Sequence, residues 1–227
     1  KDDVDWVGNS YTLHKFKDYK VIDSAQKVVK DQFLKEANDE DLMLFSFYPT
    51  KPVGSLDGGM IVSNDKNKIE WFKKAVMNGM GYEKNSWDRK IYFPGWKMYL
   101  SSFQAFIANK NLDKLEEKQN KLAEIRNVYN KELNYKNTSN HLYRINVKKR
   151  NEFVQNLKNK KITTGIHYSA NHNVNVYKKH STTKSKMTLT ETNELTTVSI
   201  PFHENLTNDE VAYIIKSCKE TGMLCKK

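Results

Sequence analysis

The chain has 227 residues, of which 38 % are hydrophobic and 29 % charged, with a formal net charge of +11. Its length and apolar content allow a real hydrophobic core, in one large domain or two small ones. No stretch approaches the ~18 apolar residues of a membrane-spanning helix, and lysines alternate with acidic residues instead of forming a dense basic block, so we expect neither a membrane protein nor a nucleic-acid-binding protein.

The first third of the chain alternates polar segments with short apolar runs. Residues 9–18 are polar and predict a connection or a short helix. Three apolar runs predict strands: 19–23, 41–48 and 58–65. The last two can pair as a hairpin across a glycine-rich loop. Residues 66–79 have apolar side chains at helical spacing and predict a helix that stops at Gly79.

The rest of the chain predicts a long helix and then a second α/β unit. Residues 82–97 are loop-like, and residues 102–133 show one apolar face over many turns. Beyond them, strands are predicted at 141–147 and 196–203, and helices at 149–162 and 207–220. In the last helix, Thr207 and Glu210 have the spacing of a capping box.

Lys51 is the first candidate for chemistry. It follows the aromatic run at residues 45–48 and precedes the glycine-rich loop. Apolar surroundings disfavour the ammonium form of a lysine, and the resulting neutral amine can bond to a carbonyl carbon. The alternative is an ordinary surface lysine at a strand end, and Lys51 taken alone favours that alternative.

Polar residues at defined distances from Lys51 favour the chemical interpretation. Asp23 ends a predicted strand, Gln26 follows three residues later, and Ser46 lies five residues before the lysine. Three glycines follow it: Gly54, Gly58 and Gly59. They permit a tight loop with a close backbone approach. The structural alternatives are a helix N-cap for Asp23, an exposed helix position for Gln26 and an ordinary strand end for Ser46.

Six blocks of sequence between residues 21 and 218 agree in type and spacing with one known family. They are VIDSAQ (21–26), FSFYPTK (45–51), DGGMIVSND (57–65), PGWKMYLSSFQAFIANKNLDKLEE (94–117), GIHYSANH (165–172) and SIPFHENLTNDEVAYIIKSC (199–218). The chain thereby resembles the DegT/DnrJ/EryC1/StrS family of pyridoxal-phosphate-dependent aminotransferases that act on nucleotide-linked keto-sugars.

The resemblance implies an α/β fold of the fold-type I aminotransferase class. Residues 1–133 would form part of the large cofactor-binding domain, with a mixed sheet and the long linking helix. Residues 134–227 would form a small C-terminal α/β domain.

The resemblance also implies roles for the polar residues. Lys51 would bond to the aldehyde of pyridoxal 5'-phosphate and later move protons between substrate and cofactor. Asp23 would pair with the pyridine nitrogen and keep it protonated. Gln26 would lie near the 3-hydroxyl, and Ser46 would donate to the phosphate. Lys97 stands where the family commonly has an asparagine that reaches the phosphate bound by the neighbouring subunit.

His167 and Tyr168 match a family motif near the mouth of the active site, which implies contact with the sugar nucleotide. The alternative is a pair of strand-end residues that pack at a domain interface. His167 and His172 could instead suggest a metal site, but further ligands are not evident. We therefore predict no bound metal.

The implied reaction moves an amino group from glutamate to a keto carbon of a nucleotide-linked sugar, for the synthesis of glycan precursors. The resemblance further implies a homodimer with shared active sites, and Cys218 and Cys225 fit a reducing cytoplasm.

Lys51 argues against the family's dehydratase branch, in which histidine replaces the lysine. Because few residues precede Asp23 compared with the family, the alternative is a non-catalytic partner or scaffold subunit.

Overall fold

The computed structural model of the chain describes residues 10–82, 84–85, 87–179 and 187–225. The chain divides into two compact units, residues 1–116 and 117–227. This division falls near the middle of the long helix predicted at 102–133, whereas the sequence placed the domain boundary at its end. The later part of that helix groups with the second unit because its buried residues Ile125, Tyr129 and Leu133 belong to the core of that unit.

The first unit is built on a mixed four-stranded sheet in the order β1-β2-β3-β4. Its strands are β1 (Tyr11–Lys15), β2 (Lys20–Asp23), β3 (Leu42–Ser46) and β4 (Gly59–Val62). Strands β2 and β3 are parallel, and the crossover between them contains the short helix α1 (Gln32–Glu36). The other two pairs, β1 with β2 and β3 with β4, are antiparallel. The three predicted strands and the predicted hairpin are confirmed.

Strand β1 corrects the prediction of a polar connection or short helix at residues 9–18, of which Asn9 lies outside the described residues. The segment reverses direction where the Phe16 N–H donates to the Tyr19 carbonyl at 2.8 Å. The rings of these two residues stack with centroids 4.6 Å apart. A polar strand is compatible with this position because β1 is at the edge of the sheet, where most of its side chains are exposed.

Helix α2 (Lys66–Ala75) follows β4 and begins at Asp65, whose carboxylate accepts from the Asn67 and Lys68 N–H groups. A short hairpin comes next, β5 (Met80–Tyr82) with β6 (Arg89–Ile91). The prediction of a loop over 82–97 is therefore wrong for β6. The segment after this hairpin is bonded to the end of α2, since the Trp96 N–H donates to the Ala75 carbonyl at 2.7 Å.

The long helix predicted at 102–133 is two helices, α3 (Ser102–Asp113) and α4 (Leu115–Leu133). They are separated at Lys114, whose φ of −97° and ψ of 1° leave the helical range. Helix α3 begins with a capping box between Ser101 and Gln104 that the sequence analysis missed. The apolar periodicity continues across the break, so spacing alone did not reveal it.

The second unit packs helices against an antiparallel pair of strands. Its elements after α4 are β7 (Tyr143–Asn146), α5 (Arg150–Asn159), α6 (Asn175–Lys178), α7 (Thr188–Thr196), β8 (Thr197–Ile200) and α8 (Asn208–Glu220). Gly165 adds to the pair by exchanging backbone hydrogen bonds of 2.9 and 2.8 Å with Ser199. The strands β7 and β8, the helices α5 and α8 and the Thr207 capping box are confirmed. Helices α6 and α7 were not predicted.

No helix in the described ranges is both long and apolar enough to cross a membrane.

Candidate active site

The parallel strands β2 and β3 bring two of the predicted residues to one edge of the sheet. Asp23 ends β2 and lies opposite Leu44 of β3. Ser46 ends β3, two residues beyond Leu44. Side chains alternate between the two faces of a strand, so Asp23, Leu44 and Ser46 project from the same face. Polar groups at the carboxyl ends of neighbouring parallel strands are the usual setting of a ligand site in α/β proteins.

Two donors hold the Asp23 carboxylate. The Ala25 N–H donates to Oδ1 at 2.8 Å, and the Tyr11 hydroxyl donates to Oδ2 at 3.1 Å. The first contact resembles the helix N-cap that the sequence offered as the structural alternative, but residues 24–31 form turns and not a helix. The carboxylate is thus oriented by its backbone neighbour on one side and by a cross-strand tyrosine on the other.

Lys51 lies in the turn that follows β3, where its N–H donates to the Tyr48 carbonyl at 2.9 Å. Its side chain is half-buried. Burial lowers the pKa of the Lys51 amine below its ordinary value of 10.5, and the negative charge of Asp23 partly opposes this effect. Lys51 and Asp23 are therefore electrostatic neighbours, and the amine is easier to deprotonate than that of a solvated lysine.

The loop after Lys51 is folded too tightly to accept side chains at two of its glycines. A Cβ on Gly54 would lie 2.3 Å from the Pro49 carbonyl oxygen. Gly58 has a φ of +111°, and its Cβ would lie 2.5 Å from Leu100 Cδ1. The predicted need for glycine in this loop therefore has a steric basis at both positions.

Hydrogen bonds to β3 and α3 fix this loop. The Ser55 N–H donates to the Phe47 carbonyl, and the Phe47 N–H donates to the Gly58 carbonyl, both at 2.8 Å. The Ser55 hydroxyl donates to the Gln104 carbonyl of α3 at 2.8 Å, and the Asn111 amide donates to the Gly54 carbonyl. The loop that carries Lys51 is consequently attached to the helix that packs beside it.

Gln26 provides a test of whether the site fits pyridoxal phosphate. Its Oε1 atom is buried and has no hydrogen-bond partner among the described residues. A buried acceptor without a donor is costly unless a ligand or water supplies one. The 3-hydroxyl of the cofactor is such a donor, so the orphaned acceptor, three residues after Asp23, fits the role predicted for Gln26.

Ser46 and Lys97 are less constrained. The Ser46 hydroxyl accepts from the Tyr48 N–H at 3.3 Å, which leaves its own proton available for donation. Lys97 is exposed in an extended segment that bridges to Met77, and its ammonium lies 5.9 Å from the centroid of the Tyr99 ring. The role of Lys97 at the phosphate stays a prediction.

His167 and Tyr168 belong to the second unit, whereas Lys51 belongs to the first. His167 Nδ1 lies 2.9 Å from the Ser199 hydroxyl oxygen, and the Tyr168 ring is edge-on to the imidazole. Burial, and then the charge of Arg144, lowers the pKa of His167. The substrate-binding role of this pair stays a prediction. Over the described ranges, no group of three potential metal ligands occurs around His167, His172 or elsewhere.

Tyr11 is the site residue that the sequence analysis missed. It faces Asp23 directly in the β1–β2 register. The available signal was the polar turn around Asp18 between two segments that could pair as a hairpin. The interpretation of residues 9–18 as a connection concealed this pairing.

Comparison with known proteins identifies a family. The model of the DegT/DnrJ/EryC1/StrS aminotransferase family matches residues 35–219. A Campylobacter jejuni (serotype O:23/36, strain 81-176) protein, UDP-4-amino-4,6-dideoxy-N-acetyl-beta-L-altrosamine transaminase, is 29 % identical, and the match covers 78 % of this chain and 53 % of that relative. Its counterpart in C. jejuni serotype O:2 is 28 % identical with the same coverage. The chain thus spans about half the length of the curated relatives it matches.

Solved structures show the same fold. A DegT DnrJ EryC1 StrS aminotransferase from Brucella abortus superposes with a TM-score of 0.76 at 22 % identity, covering 88 % of this chain and 56 % of that one. PseC of Helicobacter pylori, an aminotransferase involved in the biosynthesis of pseudoaminic acid, gives a TM-score of 0.72 at 23 % identity, covering 79 % and 53 %. The predicted fold class, α/β of the fold-type I aminotransferase kind with a mixed sheet, is confirmed.

Proposed function

Because the chain belongs to the DegT/DnrJ/EryC1/StrS aminotransferase family, we propose that it transfers an amino group from glutamate to a keto carbon of a nucleotide-linked sugar with pyridoxal 5'-phosphate as cofactor. The observation that carries this proposal is the placement of Lys51. Its half-buried amine is an electrostatic neighbour of Asp23 at the carboxyl ends of two parallel strands.

The donor set fits the cofactor. Asp23 offers a carboxylate to a protonated ring nitrogen, Gln26 Oε1 accepts from a hydroxyl, and Ser46 has a hydroxyl proton to donate to a phosphate. When bound, pyridoxal phosphate supplies an aldehyde and a ring that withdraws electrons from the substrate carbon. The residues of the chain bind and orient it, while the amine of Lys51 is the group that can take up and return a proton.

Burial is what suits Lys51 to this role. A solvated lysine is almost fully protonated at neutral pH and can neither attack a carbonyl nor accept a proton. Desolvation of Lys51 increases the fraction of neutral amine, and the charge of Asp23 limits that increase. Asp23 therefore has two effects in the proposed site, one on the ring nitrogen and one on the lysine.

The substrate class rests on the curated relatives, whose names specify a UDP-linked amino sugar. A product of this type would serve the synthesis of surface polysaccharides or other glycans. The net charge of +11 suits a nucleotide sugar, since a positive surface raises the encounter rate with an anionic substrate. His167 and Tyr168 are the proposed contacts to the sugar nucleotide.

A homodimer with shared active sites is part of the proposal. Large apolar side chains are exposed along residues 91–106, between β6 and α3: Ile91, Tyr92, Trp96, Met98, Tyr99, Phe103 and Phe106. Exposed apolar side chains grouped in this way are typical of protein–protein contact surfaces. Lys97 lies within this segment, as required for a lysine that reaches the phosphate of the neighbouring site.

The free Cys218 and Cys225 fit the proposed cytoplasmic location.

Replacement of Lys51 tests the proposal. Added pyridoxal phosphate should give the wild-type chain the absorption band of a lysine–cofactor linkage, and borohydride should make that linkage irreversible. Lys51→Ala should abolish the band, while Lys110→Ala, which removes an exposed lysine of the same unit, should leave it unchanged. In an unreduced sample, glutamate should convert the cofactor to its amino form, and a nucleotide keto-sugar should then discharge that form. A wild-type chain that never develops the band supports the scaffold alternative.

A further inference from the structure

We infer that Tyr11 is a positioning residue for Asp23, whose hydroxyl holds the carboxylate in the orientation that receives the ring nitrogen of the cofactor. The inference rests on the proposed function for its ligand and on the geometry of β1 and β2 for its residues. Tyr11 and Asp23 are directly opposite in the antiparallel register, and the phenol oxygen lies 3.1 Å from Asp23 Oδ2.

The two donors on Asp23 constrain its rotation. The Ala25 N–H is bonded to Oδ1 and the Tyr11 hydroxyl to Oδ2, so the carboxylate cannot turn about its Cβ–Cγ bond without losing one of them. Each carboxylate oxygen has two acceptor sites. Both oxygens therefore keep one site for a further donor, and a protonated ring nitrogen can bind without displacing Tyr11.

Strand β1 is held so that Tyr11 keeps this place. The hydroxyl of Ser10, the residue before Tyr11, donates to the Glu36 carboxylate of α1. Glu36 is itself bound by the Lys27 ammonium at 2.6 Å and by the Gln32 amide at 3.3 Å. The register irregularity in β1 falls between Thr12 and His14 and so leaves the Tyr11 pair intact.

A phenol is well suited to this position because it stays a donor. Burial, and then the charge of Asp23 and the hydrogen bond to it, raises the pKa of Tyr11 above its ordinary value of 10.0. The hydroxyl consequently remains protonated over the whole range in which an aminotransferase operates. A histidine in its place would change charge within that range.

A cofactor analogue without the ring nitrogen distinguishes two roles of Tyr11: positioning Asp23 for that nitrogen, and stabilising the fold of the site in general. 1-Deazapyridoxal 5'-phosphate keeps the aldehyde, the hydroxyl and the phosphate but has a carbon in place of the nitrogen. Binding of both compounds is measured by fluorescence quenching in the wild type, in Tyr11→Phe and in Tyr213→Phe. Tyr213 is the matched control, because its hydroxyl donates to the Lys160 carbonyl in the second unit.

Tyr11→Phe should lower the affinity for pyridoxal phosphate about five- to tenfold, a loss in the range of one typical net hydrogen bond, and should leave the affinity for the analogue unchanged. Tyr213→Phe should alter neither. An equal loss for both compounds assigns Tyr11 a structural role and overturns the inference, as does no loss for either. If the wild type binds neither compound, the proposed function fails, and the inference fails with it.

A second measurement requires no cofactor. In the chain labelled with 13C at the tyrosine Cζ, the Tyr11 resonance is the one that Tyr11→Phe removes. Its titration should occur at higher pH in the wild type than in Asp23→Asn, because the variant removes the charge beside the phenol. An unchanged titration in Asp23→Asn shows that the two side chains do not interact and overturns the inference even if Tyr11→Phe weakens cofactor binding.

Discussion

The two units bury their apolar side chains very differently. In the second unit one continuous cluster joins α4, α5, α8 and the strand pair, with Phe153 and Leu157 fully buried at its centre. The buried cluster of the first unit is small: Phe47, Val53, Ala108 and Leu115. Most of the large apolar side chains that remain exposed also belong to the first unit.

Among the residues that the structure describes, both units bury four polar residues, but those of the first unit include an amide and a carboxylate, whereas those of the second are all hydroxyls. In the first unit these residues are Ser24, Gln32, Asp41 and Ser55; the first three are bonded to loops or strand ends, and Ser55 is bonded to a carbonyl of α3. Hydrogen bonds of this kind define the loop conformations on which a site depends, but they contribute less net stability than apolar burial. The unit that carries the candidate chemistry is therefore the one with the weaker core, and we expect it to unfold first.

The tryptophans make this comparison measurable. All four lie in residues 1–116, at positions 6, 71, 87 and 96. Tryptophan fluorescence therefore follows the first unit, while far-UV circular dichroism follows both. In a urea titration the fluorescence transition should precede the last part of the dichroism transition.

Phe153→Ala should have the largest effect. It removes a fully buried ring from the second core, at a cost of about 3–5 kcal/mol. The late dichroism transition should move to much lower urea, while the fluorescence midpoint stays in place. Phe153→Leu, which keeps most of the volume, should move it far less. Equal shifts in both signals contradict the comparison, because they show that the units unfold as one cooperative body.

Asp41→Asn should have the next largest effect, in the first unit. The Asp41 carboxylate accepts from the Lys20 N–H at 2.7 Å and the Asn38 N–H at 2.8 Å, with the Lys20 ammonium 3.3 Å away. The amide replaces one acceptor by a donor, so one backbone N–H loses its partner at a cost of about 2–3 kcal/mol. The fluorescence midpoint should fall, whereas Asp113→Asn, at an exposed ion pair, should leave it unchanged.

The Asp41 effect should depend on pH. Burial alone would raise the pKa of Asp41, but the hydrogen bonds from Asn38 and Lys20 outweigh it, and the net pKa lies below the ordinary 3.8. The carboxylate therefore stabilises the fold above the unfolded-state pKa, and this contribution is lost as the pH falls through the lower folded-state value. The wild type and Asp41→Asn should converge in strong acid. A constant difference down to that pH would show that the charge is not the stabilising feature.

The sequence predicted the elements with strong apolar periodicity and missed those held by local polar contacts. The runs that became β2, β3 and β4 are apolar and bounded by turn residues, so their spacing was sufficient. Strand β1 is polar and is defined by its pairing with β2, which apolar periodicity does not reveal. The break between α3 and α4 at Lys114 was missed because the apolar spacing of the two helices continues across it.

The candidate site shows the same limit. Spacing from Lys51 was enough to nominate Asp23, Gln26 and Ser46, because the strands and the loop that carry them are close in the sequence. Tyr11 could not be nominated, since its role depends on the register of a hairpin that was not recognised. The tendency of Lys51 to lose its proton was expected from its aromatic neighbours, but the opposing effect of Asp23 required coordinates.

The smallest predicted effect compares the two capping boxes, one in each unit. Ser101 and Gln104 cap α3, and Thr207 and Glu210 cap α8 in the same way. Ser101→Ala should cost about 1 kcal/mol and shift the fluorescence transition while the late dichroism transition stays in place. Thr207→Ala should cause a loss of similar size, visible only in the late dichroism transition. The two boxes differ in one respect, because Glu210 titrates and Gln104 does not.

That difference provides a control within the experiment. The Thr207 N–H and hydroxyl bind the Glu210 carboxylate and lower its pKa below 4.5. The interaction between Thr207 and the Glu210 carboxylate therefore stabilises α8 fully above the unfolded-state pKa of Glu210. This stabilisation declines as the pH falls through the lower folded-state pKa. At about pH 3 the effect of Thr207→Ala should be smaller than at pH 7, while that of Ser101→Ala should be the same. If the destabilisation by Thr207→Ala and that by Ser101→Ala both decrease at low pH, acid is destabilising both units directly. The stabilities of the two units must then be compared at neutral pH alone.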